Sequence, residues 1–153
     1  MQNYTQFRSP IGLLHLYSEG DTLVGLSLIP GTQNSIATPA RENEILQTTC
    51  SQLAEYFAGT RKDFDINLKT NGTDFQKKAW SALRDIPYGE TRSYAQQSHL
   101  MGRNKAVRAV GSANGKNPII IVVPCHRVVR NNGSLGGYVG GLKVKEFLLQ
   151  LEK

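Results

Sequence analysis

Cys125 stands between Pro124 and the pair His126-Arg127, directly after the apolar run Ile119-Ile120-Ile121-Val122-Val123. A cysteine attacks electrophilic carbon as its thiolate, and a free thiol with a pKa of about 8.5 holds only a few per cent of that form at neutral pH. A neighbouring base or cation raises the fraction, each pKa unit corresponding to about 1.4 kcal/mol of selective stabilisation of the anion. An imidazole and a guanidinium in the same motif therefore make Cys125 a candidate nucleophile. Adjacent residues of an extended chain point to opposite sides, so Cys125 and His126 form a direct pair only if the backbone turns after Pro124. The plainer alternative is a small buried hydrophobe behind a core strand, the commonest fate of a free cysteine.

Several elements must hold that motif in place. The run of residues 119–123, β-branched throughout, reads as a short and fully buried strand that delivers the cysteine at its end, where Pro124 stops it. Upstream, Thr73 or Asp74 caps a helix to about Arg84, with Phe75, Ala79 and Leu83 at helical spacing and Trp80 beside them. Asp85-Ile86-Pro87-Tyr88-Gly89 ends it. Ser93 caps a second helix, Tyr94 to about Leu100, and Gly102 permits the left-handed turn that closes it. A third helix is expected from near Asn104 through Lys105 to about Asn114, before Gly115 and Pro118. Two short helices joined by a glycine-containing turn outline a helix-turn-helix. A last helix covers Leu142 to Glu152.

The first half carries fewer signals. Residues 13–18 and 22–29 read as two strands of a hairpin turning at Glu19-Gly20-Asp21. The polar, proline-flanked stretch 30–39 reads as a surface loop. From about Arg41, the residues Ile45, Leu46, Thr49, Leu53 and Phe57 recur at helical spacing, with Gly59 closing the helix, and residues 63–68 read as one more strand.

At 153 residues and 39% apolar content, one or two small domains with real cores are expected. A formal charge of +6 suits a polyanionic partner. Cys50 and Cys125, with only His15, His99 and His126 to join them, show no metal-ligand spacing, so no metal site is expected. Two isolated cysteines, no signal peptide and no apolar run long enough to cross a bilayer point to a reducing cytoplasmic protein without a membrane partner. Cys50, placed within a helix, reads as structural.

The ordered set Ile86-Pro87-Tyr88-Gly89-Glu90-Thr91, Arg108-Ala109-Val110-Gly111, Asn117-Pro118, Pro124-Cys125-His126-Arg127-Val128 and Gly140-Gly141-Leu142 resembles the methylated-DNA protein-cysteine alkyltransferases, which repair O6-alkylguanine. The resemblance spans residues 75–152. It implies an α+β chain: an N-terminal ribonuclease H-like α/β domain at 1–70 in a supporting role, then a mostly helical, winged-helix-like domain with the helix-turn-helix at 71–153. It also implies irreversible, single-turnover transfer of an alkyl group to Cys125 from nucleotides flipped out through the minor groove, without a cofactor. The expected partner is double-stranded DNA containing O6-alkylguanine, bound by a monomer. Two rival readings are a non-catalytic lesion-binding protein of the same fold and a cysteine hydrolase using Cys125 and His126.

Site roles follow from the same resemblance. His126 is the base acting through water, Glu152 the carboxylate that orients it, and Tyr94 the acid that protonates guanine N3. Tyr138 lines the base pocket, Lys145 lies near nucleophile and tyrosine, and Val139 and Gly140 border the pocket with the loop 131–137. Asn117 ties the recognition helix to the active-site strand. Arg108 fills the gap left by the flipped nucleotide. Ala109, with Ala106, Gly111, Ser112 and Ala113, gives that helix a face slim enough for a narrow groove. Arg92, Arg103, Lys105 and Lys116 are candidate phosphate contacts. By spacing alone, Tyr94 is an ordinary packing residue, Lys145 a solvated charge and Glu152 a frayed helix end.

Overall fold

The computed structural model describes residues 2–29, 43–103, 105–138 and 140–153 and divides into two units, Met1–Asn71 and Gly72–Lys153. In the first, β1 (Gln2–Ser9), β2 (Gly12–Glu19) and β3 (Thr22–Ser27) form an antiparallel sheet in the order β1-β2-β3. Gly20, at φ +60°, makes the tight β2–β3 turn that its sequence signals. Helix α1 (Glu44–Phe57) packs on this sheet through the fully buried Leu46, Leu53 and Tyr56, and Phe57 stacks on Phe7 of β1 at 6.4 Å between ring centres. Its N-cap Asn43 accepts from Leu46 N at 3.2 Å and donates to Gly20 O at 2.7 Å, tying the helix start to the hairpin turn.

This unit holds one element the sequence did not signal and lacks one that was expected. Strand β1 is absent from the sequence reading because Gln2, Asn3, Thr5 and Gln6 dilute its apolar signal; pairing with β2 along its whole length defines it. Residues 63–68 are no full strand, making a single parallel bridge from Leu68 to Leu23. The reason is where the backbone hydrogen bonds go: the Gln52 side chain takes both polar groups of Asp65, accepting from its N at 2.9 Å and donating to its O at 3.2 Å. The predicted loop at 30–39 and the predicted helix start at Arg41 lie outside the described residues.

The second unit contains α2 (Asp74–Arg84), β4 (Arg92–Ser93), α3 (Tyr94–Leu100), α4 (Val107–Gly115), a 3-10 turn (Cys125–Arg127), β5 (Val128–Val129) and α5 (Leu142–Leu151). Thr73 with Gln76, and Ser93 with Gln96, make reciprocal capping boxes at the starts of α2 and α3. Gly102 takes φ +73° after α3, as its position predicts. The buried Ser98 hydroxyl donates to Arg103 O and accepts from Ala106 N, which shapes the α3–α4 turn. Trp80 of α2 donates to Ala113 O at 2.8 Å, while Gln97 of α3 and Asn114 of α4 exchange amide hydrogen bonds of 2.9 and 2.8 Å. These buried polar ties fix the three helices around Leu83, Val110 and Ile119. Parallel pairing of β4 with β5 then seats the end of the cysteine motif beside the start of α3.

Helix α4 begins at Val107, later than the expected start near Asn104, which lies outside the described residues. The larger correction concerns 119–123. These residues are buried as expected but form a tight turn instead of a strand: Val122 N donates to Ile120 O at 2.8 Å and Val123 N to Ile119 O at 3.0 Å. Ile121 sits at φ +71°, a costly conformation for a β-branched residue. The Asn117 side chain substitutes for a neighbouring strand, donating to Val123 O at 2.7 Å and accepting from Ile119 N at 3.0 Å.

Candidate active site

Cys125 is therefore the first residue of a 3-10 turn, which supplies the backbone turn after Pro124 that a Cys125–His126 arrangement needs. Together with Tyr94, Gly111, Asn114, Gly115, Gly137 and Tyr138 it lines a cavity of about 400 Å³. One wall belongs to the start of α3, one to the C-terminal half of α4, and one to the glycine-rich loop before α5. Burial pushes the Cys125 thiol up to about 11, against the nearby Asn117 amide and the Lys145 ammonium, which both favour the anion. The expected lowering by the motif's own cation does not occur, because Arg127 turns elsewhere.

Arg127 and His126 both turn to Glu152. Arg127 Nε donates to Glu152 Oε1 at 2.8 Å and its second terminal nitrogen to Oε2 at 3.1 Å; His126 Nε2 lies 2.6 Å from Oε2. All three side chains are buried. Burial alone would raise the Glu152 carboxyl, but the hydrogen bonds from His126 and Arg127 outweigh it and hold the group down at about 2. Burial lowers His126, with the Arg127 and Lys145 charges adding to it against Glu152. The consistent state is an ionised Glu152 accepting from a neutral imidazole protonated at Nε2. Nδ1 then carries a bare lone pair, buried and with no partner among the described residues. A base in this state, next in sequence to a cavity-lining thiol, can take the thiol's proton at the moment of attack.

Tyr94 is half-buried, and its hydroxyl accepts from Gly137 N–H; burial raises it first, then the adjacent Cys125, while the Gly137 bond and Arg130 oppose. Gly136 has φ +72°, and a Cβ there would stand 2.8 Å from the Tyr94 hydroxyl, so only glycine lets this loop close on the ring. Tyr138 presents a buried hydroxyl without a partner among the described residues, and burial raises it well above the ordinary tyrosine range.

Lys145 does not line the cavity. It is fully buried behind the loop, donating to Leu135 O and, at 3.0 Å, to Gly137 O, with Nζ 5.8 Å from the Tyr94 ring centre. Burial lowers it to about 8. Asn117 is likewise buried as a scaffold for the 119–123 turn, and Gly140 lies in the turn before α5; Val139 is outside the described residues. Arg108 and Ala109 are exposed in the first turn of α4, alongside exposed Arg103, Lys105 and Lys116. Arg103 stacks over Phe75 at 5.9 Å, and Arg92 is half-buried in a 3.0 Å ion pair with Glu90. Asn114 and Gly115, read from sequence only as a helix end, prove to be cavity walls. The missed signal was a polar Asn-Gly-Lys-Asn cluster placed directly before a buried apolar run. Among the described residues no three His, Cys, Asp or Glu side chains gather as a metal site, and no helix is long and apolar enough to cross a membrane.

A cavity-lining cysteine next in sequence to a buried His–Glu–Arg chain, on a unit that carries a helix-turn-helix, is the arrangement of a nucleophilic cysteine in a nucleic-acid-binding protein. Models of two domains match the chain: the 6-O-methylguanine DNA methyltransferase ribonuclease-like domain over residues 3–70 and the DNA binding domain of the same enzymes over 74–153. A methylated-DNA–protein-cysteine methyltransferase of Methanosarcina acetivorans is 47% identical over 152 residues, 97% of each chain. The constitutive one of Bacillus subtilis is 43% identical, covering 100% of this chain and 96% of its own. The crystal structure of Mycobacterium tuberculosis OGT in complex with DNA superposes with a TM-score of 0.91 at 46% identity, over 99% of this chain and 92% of that one. The chain belongs to the O6-methylguanine DNA methyltransferase family, as an α+β member with a ribonuclease-like first domain and a helical DNA-binding second domain. Its activity is that of a methylated-DNA–protein-cysteine methyltransferase, the repair of alkylated guanine in DNA.

Proposed function

We propose that the repair is a single irreversible displacement in which Cys125 takes the alkyl group from guanine O6 and keeps it. The observation that carries this is Cys125 on the cavity wall, next in sequence to a histidine whose free nitrogen is backed by an ionised carboxylate. The sulfur forms a bond to the alkyl carbon, the carbon–O6 bond breaks towards the base, and the thiol proton passes to His126 through water. Tyr94 protonates guanine N3, so that the base leaves neutral. A resting thiol at about 11 needs such a base, since solvent hydroxide alone supplies too little thiolate at neutral pH. A thioether is a poor leaving group and the site offers no second nucleophile, so each chain acts once. Residues 71–153 perform binding and chemistry, and residues 1–70 support them.

The partner is double-stranded DNA held by α4. The exposed face of that helix is small at Ala109, Ser112 and Gly115, which suits a narrow groove, and Arg108, exposed on the same helix, is assigned the role of entering the stack behind the flipped base. Arg103, Lys105 and Lys116 supply phosphate contacts; Arg92 contributes less, because Glu90 already engages it. Chromosomal DNA as substrate places the protein inside the cell, acting as a monomer. Intact-mass measurement after mixing with a duplex containing O6-methylguanine tests the proposal: one CH2 is gained per chain, on Cys125. Repeated turnover, or label on Cys50, overturns it. Arg108→Ala should slow repair in duplex by about tenfold or more while leaving reaction with free O6-methylguanine base close to native; equal losses refute the extrusion role.

A further inference from the structure

The Ile86-Pro87-Tyr88-Gly89 segment ends α2 and belongs to the motifs that carry the family resemblance, but the transfer chemistry assigns it no role. In the structure it lies against the Arg127 guanidinium and the main chain at the end of α5. Ile86 O accepts from the Arg127 terminal nitrogen at 2.7 Å, the one guanidinium arm not bonded to Glu152. The Tyr88 ring stacks beneath the same guanidinium, 5.7 Å from its centre, and the Tyr88 hydroxyl donates to Leu151 O at 3.3 Å. Gly89, at φ +81°, approaches so closely that a Cβ would stand 3.0 Å from Glu152 O.

Glu152 needs such a device. It is the C-cap of α5, and helix ends fray unless something holds them. A carboxylate that drifts by 1 Å no longer fixes the imidazole tautomer that leaves Nδ1 bare. We infer that the Ile86–Gly89 turn and Arg127 form a clasp that pins Glu152 against His126, making Arg127 and Tyr88 positioning residues for alkyl transfer. Arg127 bonds Glu152 through Nε and one terminal nitrogen, and the turn holds the guanidinium through the other arm and through its face. Tyr88 adds a second hold on the helix end itself. The clasp touches neither the cavity nor α4, so it acts on the rate of transfer and not on DNA affinity.

This inference rests on the proposed role of Cys125, and the experiment separates the two. Single-turnover transfer from an O6-methylguanine duplex is followed by intact mass across DNA concentrations for the native chain, Tyr88→Ala, Tyr88→Phe and Arg127→Lys. Native protein that gains no CH2 at Cys125 refutes the transfer reading itself. Given native transfer, Tyr88→Ala and Arg127→Lys should still reach one alkyl group per folded chain with the native half-saturating DNA concentration. Their saturating rate constants should fall by about tenfold or more. Tyr88→Phe, which keeps the ring, should recover most of that loss. A purely structural role would instead lower the endpoint through misfolded chains and leave the rate of the rest unchanged. That result, or native rate constants in Tyr88→Ala and Arg127→Lys, overturns the clasp. Because Arg127→Lys can leave a buried carboxylate poorly paired and the fold weakened, Tyr88→Ala, at a half-buried position, is the deciding variant.

Discussion

At Cys125 two opposing forces act on one sulfur. Burial disfavours the thiolate, the Asn117 amide and Lys145 favour it, and burial wins, with the thiol at about 11. A nucleophile that waits protonated is protected from stray electrophiles and oxidants, which attack thiolates. It reacts when a carbon is positioned in the cavity and His126 can accept the proton as the bond forms. Iodoacetamide labelling at pH 8 checks this: Cys125 in the folded chain should react about 100-fold more slowly than in the urea-unfolded chain, from its smaller thiolate fraction alone. Equal rates would mean an activated resting thiolate. Arg127 illustrates why neighbours in sequence mislead at this scale, since the 3-10 turn points its guanidinium at Glu152.

Helix α3 shows how little local stability the site elements own. With seven residues it is too short to persist alone, and it bears Tyr94 as its first residue. Its capping box supplies what length does not: Ser93 accepts from Gln96 N at 3.0 Å, and Gln96 bonds back to Ser93 N at 2.8 Å. Ser93→Ala should cost about 1 kcal/mol, read as a lowered urea midpoint with unchanged slope. The helix and its caps were legible because such signals are local. Residues 119–123 were not, because an apolar β-branched run specifies burial but not partners. Asn117, outside the run, takes the backbone groups that a neighbouring strand would have taken.

On the scale of the whole molecule, the buried chain of ionisable groups couples folding to pH. Glu152 falls from the ordinary 4.5 to about 2 on folding, so its stabilisation is complete above about pH 4.5 and is lost as pH drops towards 2. His126 is held neutral by burial, below its ordinary 6.5, so an unfolded chain that can protonate gains ground as pH drops below 6.5. Urea midpoints measured from pH 7 to pH 3 should therefore begin to fall near pH 6.5 and fall more steeply below pH 4.5. Glu152→Gln should remove the lower step; a profile identical to the native one would show that Glu152 is not ionised in the fold. The net charge of +6 belongs to this scale too, and on the described surface of the second unit Arg103, Lys105, Arg108 and Lys116 are the exposed cations around α4.

Local chemistry by itself determined the helices α2 and α3 with their caps Thr73 and Ser93, the tight turns at Gly20 and Gly102, and the ordered motifs that carry Cys125, because each depends on residues a few positions apart. Only tertiary structure decided what those residues face. Glu152 is a frayed terminus by spacing and a buried, doubly held carboxylate in the fold; Lys145 is a solvated cation by spacing and a strut behind the pocket wall in the fold. Both reversals have the same physical cause. The state of a charge is set by the solvent it loses and the partners it gains, and those partners lie 25 residues away for Arg127 and Glu152, and 8 for Lys145 and Gly137.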